Sequence, residues 1–363
     1  MKKNRKLTLI ASIVLGTLLI WFAVFVRLPY YLESPGGAAD IRQVLTVNNQ
    51  IDQEDGSYNF TYVSVQQATA LQLFAAQFDP YTTVRSSEEM TGGADNEEYF
   101  RIAQFYMETS QNMAKYQGLT LAGKEVNLDF FGVYVLALAD DSTFKKVLNI
   151  ADTVVSINGK TFESSPDLIK YVSGLELGSD VTVGYISAGQ EKSADGKIIK
   201  LSNGKNGIGI TLVDHTEVQS SIPIDFQTGD IGGPSAGLMF TLAIYTQLAE
   251  PDLRDGRIIA GTGTIEQDGK VGDIGGADKK VISAAKSGAS IFFVPNNPVD
   301  VEVLKKNPKA KTNYEEAKEA AEKAGLDIEV VPVKTVQEAI DYLKKTGSLS
   351  TVVGRRKAAL CQL

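Results

Sequence analysis

The sequence is 363 residues long, enough for two or three domains, with 43% hydrophobic and 22% charged residues as in globular proteins. The first 28 residues hold five of the 36 basic residues and none of the 44 acidic ones, so the rest of the chain has a net charge of −13. Binding to nucleic acid is therefore not expected, because it depends on lysine and arginine. With one cysteine, Cys361, and one histidine, His215, we expect neither an intrachain disulfide nor a metal site.

The sequence of residues 1–28 predicts a short cytoplasmic segment followed by a membrane anchor. The run "LTLIASIVLGTLLIWFAVFV" contains no charge, and about twenty helical residues match a bilayer core of roughly 30 Å. Four basic residues precede this run, whereas only Arg27 closely follows it, so the positive-inside rule predicts that the remaining chain is extracellular. A cleaved signal peptide is the alternative, but its apolar region is usually shorter and ends in a small-x-small cleavage site.

Residues 29–117 predict strands followed by helices. A Pro-Gly-Gly turn is expected at 35–37, and the alternating segments "QVLTV" and "NFTYVSV" predict a hairpin. Apolar residues with helical spacing in "VQQATALQLFAAQF" and "NEEYFRIAQFYMETSQNMAKYQ" predict two helices.

Two further regions differ from each other in their predicted secondary structure. Residues 118–205 consist of short strands with glycine turns and one helical stretch, "SPDLIKYVSGL", which indicates a small separate module. Residues 206–346 alternate strand, glycine turn and helix, which indicates a mixed α+β domain. We expect the tail, residues 347–363, to be disordered or added for expression.

Ser235, in "GDIGGPSAG", is either a nucleophile at a helix N-terminus or the residue that caps that helix. The segment fits the G-x-S-x-G elbow of α/β-hydrolases, but that elbow needs a histidine downstream, and His215 lies upstream. A lysine can replace histidine as the base if burial lowers its pKa toward neutrality. A nucleophilic Ser235 therefore calls for a buried lysine.

One Ser-Lys arrangement, that of penicillin-binding enzymes, has weak support. The chain contains tripeptide and tetrapeptide matches to its motifs at 142–145, 156–158 and 345–347. The first two lie close together in the strand-rich module, and the third ends a predicted helix. Such short matches recur by chance.

A second Ser-Lys arrangement is supported over more than sixty residues. "GDIGGPSAG", followed by "GTGTIEQDGKVGDIGGADKKVISAAKSGASIFFVP", resembles the proteolytic domain of the Lon family. The resemblance implies a ribosomal protein S5 domain 2-like α+β fold, with Ser235 as nucleophile and Lys280 as base. It also implies that Thr262 bonds the lysine amine, although Thr262 could instead cap a turn. Lys279 is the competing lysine, but adjacent helical residues point about 100° apart.

The loop before Ser235 is a candidate oxyanion site. Asp230, Gly232, Gly233 and Pro234 lie in it, and backbone N–H groups there could face a developing negative charge together with the helix N-terminus. The same glycines could simply serve as turn residues. Sequence alone leaves open which amides contribute.

The middle module resembles a PDZ domain of the kind found in bacterial proteases, in "FFGVYVLAL", "LNIADTVVSINGK" and "PDLIKYVSGLELGSDVTVGYI". Ala151 stands where that family has glycine. The resemblance implies that Phe131, Gly132 and Val133 offer backbone amides to a peptide C-terminus. A buried strand without ligand, or a steric gate, is the alternative.

An N-terminal anchor, a Lon-like domain and an inserted PDZ module together resemble the SepM-type Lon-like proteases of Gram-positive bacteria. This resemblance implies an extracellular serine endopeptidase that trims secreted peptides, such as a quorum-sensing or competence pheromone. No Walker A motif occurs, so we expect no ATP dependence, and no cofactor is expected. The alternative function is a PDZ-based binding or scaffolding protein with an inactive protease-like domain. The oligomeric state stays open.

Overall fold

The computed structural model describes residues 2–91 and 96–347, with side chains from residue 8 onward. The predicted tail, apart from residue 347, lies outside the described residues, as does Cys361. Within the described part, one helix near the N-terminus is long and apolar enough to cross a membrane, with a mean hydropathy of 2.4 over Thr8–Phe25. A signal sequence would also lie there, so this helix is only a weak indication of an anchor.

Helices and strands are numbered in chain order. The α-helices are α1 Lys2–Phe25, α2 Ala70–Ala76, α3 Ser87–Thr91, α4 Asn96–Leu121, α5 Ser165–Ser173, α6 Gly237–Ala249, α7 Ala277–Lys286, α8 Val301–Lys306, α9 Asn313–Ala324 and α10 336–347. The strands are β1 Arg27–Asp40, β2 Leu45–Val47, β3 Ser57–Thr69, β4 Thr83–Ser86, β5 Asn127–Leu138, β6 Thr153–Ile157, β7 Asp180–Ser187, β8 Gln190–Lys197, β9 Ile199–Lys200, β10 Asn206–Gly207, β11 Ile210–Gln219, β12 Ile224–Phe226, β13 Ile258–Gly261, β14 Thr264–Ile265, β15 Val271–Gly272, β16 Ile291–Pro295 and β17 Glu329–Val333.

The larger sheet has the strand order β17-β16-β13-β3-β1-β4. Strands β17, β16, β13 and β3 run parallel, whereas β3, β1 and β4 pair antiparallel. Successive residues of β13 and β16 point to opposite faces, and both faces are buried: Ile259 and Phe293 pack in one core, Ala260 and Phe292 in another. Helix α6 covers the first face, and α7 with α9 covers the second. The N-terminus of α6 and helix α7 therefore lie on opposite faces of the sheet.

The smaller sheet has the order β11-β5-β6-β7-β8, with every pair antiparallel. Its core is formed by valines of the strands, such as Val135 and Val183, packed against Leu168 and Val172 of α5. The sheet continues beyond the boundary expected at residue 205, because β11 pairs with β5 along its whole length up to Gln219. An alternating strand has the same pattern whichever sheet it joins, so the sequence did not reveal this.

Two local predictions are wrong. The hairpin between "QVLTV" and "NFTYVSV" does not form, because β2 pairs with β12 and β3 pairs with β1 and β13. The predicted turn at 35–37 is instead an irregularity inside the long strand β1. Gly36 is needed there because a Cβ atom would lie 2.7 Å from backbone atoms of Tyr62 and Ser64.

Candidate active site

Ser235 lies two residues before α6 and is partly exposed. The helix is capped by Ala236, without a side-chain hydrogen bond, so Ser235 does not serve as its N-cap. The Ser235 carbonyl accepts hydrogen bonds from the Gly263 N–H, at 2.8 Å, and from the Thr262 hydroxyl, at 3.2 Å. These bonds hold the Ser235 backbone against the segment that follows β13. They do not involve the Ser235 hydroxyl, which is free to contact another side chain.

The Ser235 hydroxyl contacts the amine of Lys280. Lys280 lies near the N-terminus of α7 and is only 3% exposed to solvent. Its Nζ atom is 2.8 Å from Ser235 Oγ. Burial disfavours the ammonium form and lowers the pKa of Lys280 to about 7, although the nearby Glu33 carboxylate opposes this shift. Near pH 7, the Lys280 amine is therefore neutral in a large fraction of the protein molecules and able to accept a proton.

Thr262 orients that amine. Its side chain is fully buried, and its Oγ1 lies 3.2 Å from Lys280 Nζ. A hydroxyl has a single proton, and Thr262 donates it to the Ser235 carbonyl, so Thr262 can only accept from the lysine. The amine thus donates one N–H to Thr262, and in its neutral form it keeps a lone pair that can accept the proton of the nearby Ser235 hydroxyl.

Lys279, the preceding lysine, is equally buried but faces carboxylates. Its Nζ lies 3.1 Å from Asp278 Oδ2 and 3.8 Å from Glu33 Oε1. Glu33, on β1, also accepts a hydrogen bond of 2.8 Å from Arg85 on β4. The structure thus brings Lys280, not Lys279, to Ser235. Sequence reasoning missed the Glu33 cluster, whose members come from distant segments with no recognisable motif.

The loop before Ser235 is held by α4. The Gly233 N–H donates to the Ala103 carbonyl at 2.7 Å, and the Pro234 carbonyl accepts from the Ser110 hydroxyl at 2.9 Å. Asp230 is exposed in the turn at the start of the loop. These contacts with α4 were not anticipated, because nothing in the sequence of an amphipathic helix indicates which loop it supports.

The amides of the loop differ in what they can bind. The Gly233 N–H is occupied by Ala103, whereas the Ser235 N–H has no hydrogen-bond partner among residues 2–91 and 96–347. Gly232 has a steric role, since a Cβ atom there would lie 2.7 Å from Ala103 Cβ. Of these groups, the Ser235 amide at the N-terminus of α6 is open to an oxyanion, the Gly232 N–H also has no hydrogen-bond partner among the described residues, and the Gly233 amide is not available.

The other serine arrangements are not assembled. The Ser142 hydroxyl donates to the Ile208 carbonyl, and Lys145 pairs with Asp140 in the smaller sheet's module. His215 Nδ1 lies 2.9 Å from Thr153 Oγ1, and its ring stacks on Tyr134. No cluster of three possible metal ligands occurs in the described part of the chain.

Phe131, Gly132 and Val133 lie on β5, an interior strand between β11 and β6. A Cβ atom on Gly132 would lie 2.2 Å from the Val154 carbonyl oxygen, which shows how closely β6 approaches. Gly132 and Val133 pair with β11, Val133 also pairs with β6, and Phe131 lies at an irregularity of the β11 pairing, so a peptide strand has little room to add along β5. The resemblance to PDZ domains implied peptide binding at these residues, but the edges of the sheet are β8 and β11. The edge of β11 is open only in its N-terminal part, because the Asp214 and Thr216 carbonyls accept hydrogen bonds from α4.

A groove lies between that open edge of β11 and helix α5. It contains a cavity of about 60 Å³ with mostly apolar walls. The side chains that line it include Leu168, Ile169, Val172, Ile208, Ile210 and Leu212. An exposed strand edge next to an apolar cavity is a suitable site for an extended peptide with an apolar side chain.

Comparison with known proteins gives two family matches. Residues 198–345 match the Lon protease (S16) C-terminal proteolytic domain, and residues 103–198 match the PDZ domain family. Among curated proteins, the chain is 29% identical over 153 residues to a Lon protease of Mycoplasmopsis agalactiae. It is 30% identical over 135 residues to a Lon protease of Mesomycoplasma hyopneumoniae.

These matches are partial. They cover 41% and 37% of this chain but only 14% and 13% of the two Lon proteases. Among solved structures, the PDZ domain of an SdrC-like protein from Listeria monocytogenes is 35% identical, with 23% of this chain and 90% of that chain covered and a TM-score of 0.22. The family matches confirm the two predicted domain types: the chain contains a PDZ domain and a Lon-type serine peptidase domain.

Proposed function

We propose that this protein is a serine endopeptidase in which Ser235 is the nucleophile and Lys280 the general base. The observation that carries the proposal is the distance of 2.8 Å between Ser235 Oγ and a buried Lys280 amine with a pKa of about 7. A lysine in water, with a pKa of about 10.4, would be almost entirely protonated and could not act as a base.

In the proposed reaction, the neutral Lys280 amine takes the proton of the Ser235 hydroxyl as Oγ attacks the peptide carbonyl carbon. The resulting ammonium gives this proton to the leaving nitrogen, and an acyl-enzyme ester remains. Lys280 then deprotonates a water molecule that hydrolyses the ester. Thr262 acts throughout by holding the amine in place.

The negative charge of the tetrahedral intermediate needs hydrogen-bond donors. The Ser235 N–H is suited to this, since it is unpaired among the described residues and lies at the N-terminus of α6. Gly232, Gly233 and Pro234 would then act indirectly, by fixing the loop against α4. Asp230, which is exposed, has no assigned part in the chemistry.

We further propose that α1 anchors the chain in the membrane with the peptidase domain outside the cell. The apolar window of α1 and the basic residues before it support this orientation. Substrates would be short secreted peptides, with a peptide pheromone as the candidate suggested by the likeness to SepM-type proteases. We also propose that cleavage does not depend on ATP.

The test is cleavage of short unstructured peptides by the purified full-length chain in detergent without ATP, followed by mass spectrometry. Ser235→Ala and Lys280→Met should abolish cleavage. Matched controls are Ser290→Ala and Lys286→Met, which change exposed residues near and on α7 and should retain activity. Cleavage that persists in Ser235→Ala would eliminate the proposed nucleophile.

The groove between β11 and α5 supports a second function, peptide capture. We propose that a peptide adds antiparallel to β11 and places an apolar side chain in the cavity beside Leu168 and Leu212. Gly209, with φ of 76°, directly precedes the strand at this point.

Peptide capture is tested by fluorescence anisotropy with a labelled peptide ending in an apolar residue. Leu212→Asp should weaken binding at least tenfold, since it places a charge in an apolar cavity, while the exposed Leu177→Asp, in the same module, should not. Equal binding by both variants would exclude the groove. Peptide binding without cleavage by the wild type would favour the scaffolding alternative.

A further inference from the structure

An apolar face is exposed on α2 and the turn that follows it. Leu71, Phe74 and Phe78 are 52%, 59% and 73% exposed, and none of the α2 residues is buried. The spacing of three and four residues places these side chains on one face, where the rings of Phe74 and Phe78 pack edge to face at 5.3 Å. Adjacent exposed aromatic residues of this kind indicate a binding surface.

The composition around this face is unusual for a water-exposed helix. Residues 56–78 contain no charged side chain, and the one polar residue of α2 is Gln72. The helix is nevertheless well defined, because Thr69 and Gln72 form a capping box at its N-terminus. A stable helix with an uncharged surface suits an interface between water and lipid, where charges are costly and neutral polar groups are tolerated.

The position of α2 follows from its attachment to α1. Helix α1 ends at Phe25 and β1 begins at Arg27, so no flexible linker separates them. Arg27 Nη1 donates to the Gln67 carbonyl at 2.6 Å and to Gln72 Oε1 at 3.2 Å, and α1 and α2 are in contact. Wherever the end of α1 lies, α2 must therefore lie directly beside it.

The end of α1 carries aromatic side chains typical of a bilayer surface. Trp21 and Phe25 are 55% and 65% exposed, with ring centroids 6.1 Å apart, at the C-terminal end of the apolar window. Continuity with this end selects lipid as the occupant of the α2 face. We propose that Leu71, Phe74 and Phe78 insert into the outer interface of the membrane, so that α2 holds the peptidase domain against the bilayer. This inference rests on the proposed membrane anchor.

The experiment uses the single tryptophan of the chain as an internal reference. The full-length protein is reconstituted into phosphatidylcholine–phosphatidylglycerol vesicles with or without brominated acyl chains, which quench nearby tryptophan fluorescence. Trp21 in the wild type reports on α1. In a Trp21→Phe background, Phe74→Trp and Phe78→Trp report on the α2 face, and Leu177→Trp, matched to Phe74 in exposure at 59%, is the control in the smaller sheet's module.

We expect roughly twofold or stronger quenching for Trp21, Phe74→Trp and Phe78→Trp, because an interfacial face lies about 5–10 Å deep, and none for Leu177→Trp. Quenching of Trp21 but not of the α2 reporters would overturn the docking proposal while leaving the anchor intact. An unquenched Trp21 would overturn the anchor itself. An α2 signal that is insensitive to bromine but changes with protein concentration would assign the face to a second copy. Peptide cleavage by each variant monitors folding, and its absence in the wild type would count against the protease proposal alone.

Discussion

The protonation of Lys280 should set the lower limb of the pH profile of peptide cleavage. With a pKa of about 7, about half of the Lys280 amines are neutral at pH 7, about one eleventh at pH 6 and nearly all at pH 9. Since only the neutral amine can act as base, kcat/KM should rise about tenfold from pH 6 to pH 8 and then level off. An unperturbed lysine would instead give a rise that continues beyond pH 9.

The Glu33 cluster allows this pKa to be moved in both directions. The Glu33 carboxylate favours the ammonium form of Lys280, so Glu33→Gln should lower that pKa. A shift of about one unit would raise the rate at pH 6 about fivefold and leave the rate at pH 9 unchanged. Lys279→Met removes a cation that offsets part of the Glu33 charge, so Glu33 should then favour the Lys280 ammonium more strongly, raise its pKa and slow cleavage at pH 6.

The assay is kcat/KM for one peptide between pH 5 and pH 9.5 in the wild type and both variants. Thermal unfolding serves as a control, because Glu33 is buried and paired with the exposed Arg85, and its replacement can also destabilise the fold. A general loss of folded protein would lower the cleavage rates at every pH in proportion. An electrostatic effect would instead shift the midpoint of the pH profile. Identical midpoints in the three proteins, or shifts of the same sign in both variants, would refute the reasoning.

Three further changes have defined outcomes. Lys280→Met should stabilise the protein at pH 7 by up to about 4 kcal/mol in urea unfolding; the cost of the buried lysine is full below pH 7 and disappears as the pH rises toward the unfolded pKa of about 10.4. Thr262→Val should lower kcat about tenfold or more with little change in KM, because the amine loses its acceptor, and a purely structural role would instead appear as a lower Tm. Gly232→Ala should impair cleavage, since its Cβ would lie 2.7 Å from Ala103 and displace the loop that carries Ser235; full activity would show that the loop tolerates this displacement.

Sequence motifs predicted that Ser235, Lys280 and Thr262 form one site, and the structure brings these three side chains into contact. The three side chains meet because β13, with Thr262 directly after it, lies in the sheet between α6 and α7. The charged residues around Lys280 could not be predicted from sequence motifs. Glu33 reaches Lys279 only through the pairing of β1 with β3, a contact between distant segments that no local pattern records.

The strand assignments failed where several partners had the same pattern. Segments β2 and β3 both alternate, and a polar stretch between them suggested a hairpin, yet β2 pairs with β12 from far along the chain. Segment β11 was assigned to the peptidase region because it begins the alternation of strand, glycine turn and helix, but it completes the smaller sheet. Alternation fixes which side chains share a face and leaves the neighbouring strand undetermined.

Helix α4 explains why no linker marks the border between the two modules. On one side, Thr109 and Asn112 donate hydrogen bonds to the Asp214 and Thr216 carbonyls of β11. On another side, Ser110 supports the loop that carries the nucleophile. Both modules therefore share one helix. Deleting residues 118–205 would remove the end of α4 and β5, the strand that pairs with β11, and would disturb this support. Point substitutions inside the groove, such as Leu212→Asp, separate peptide selection from catalysis more cleanly than any deletion.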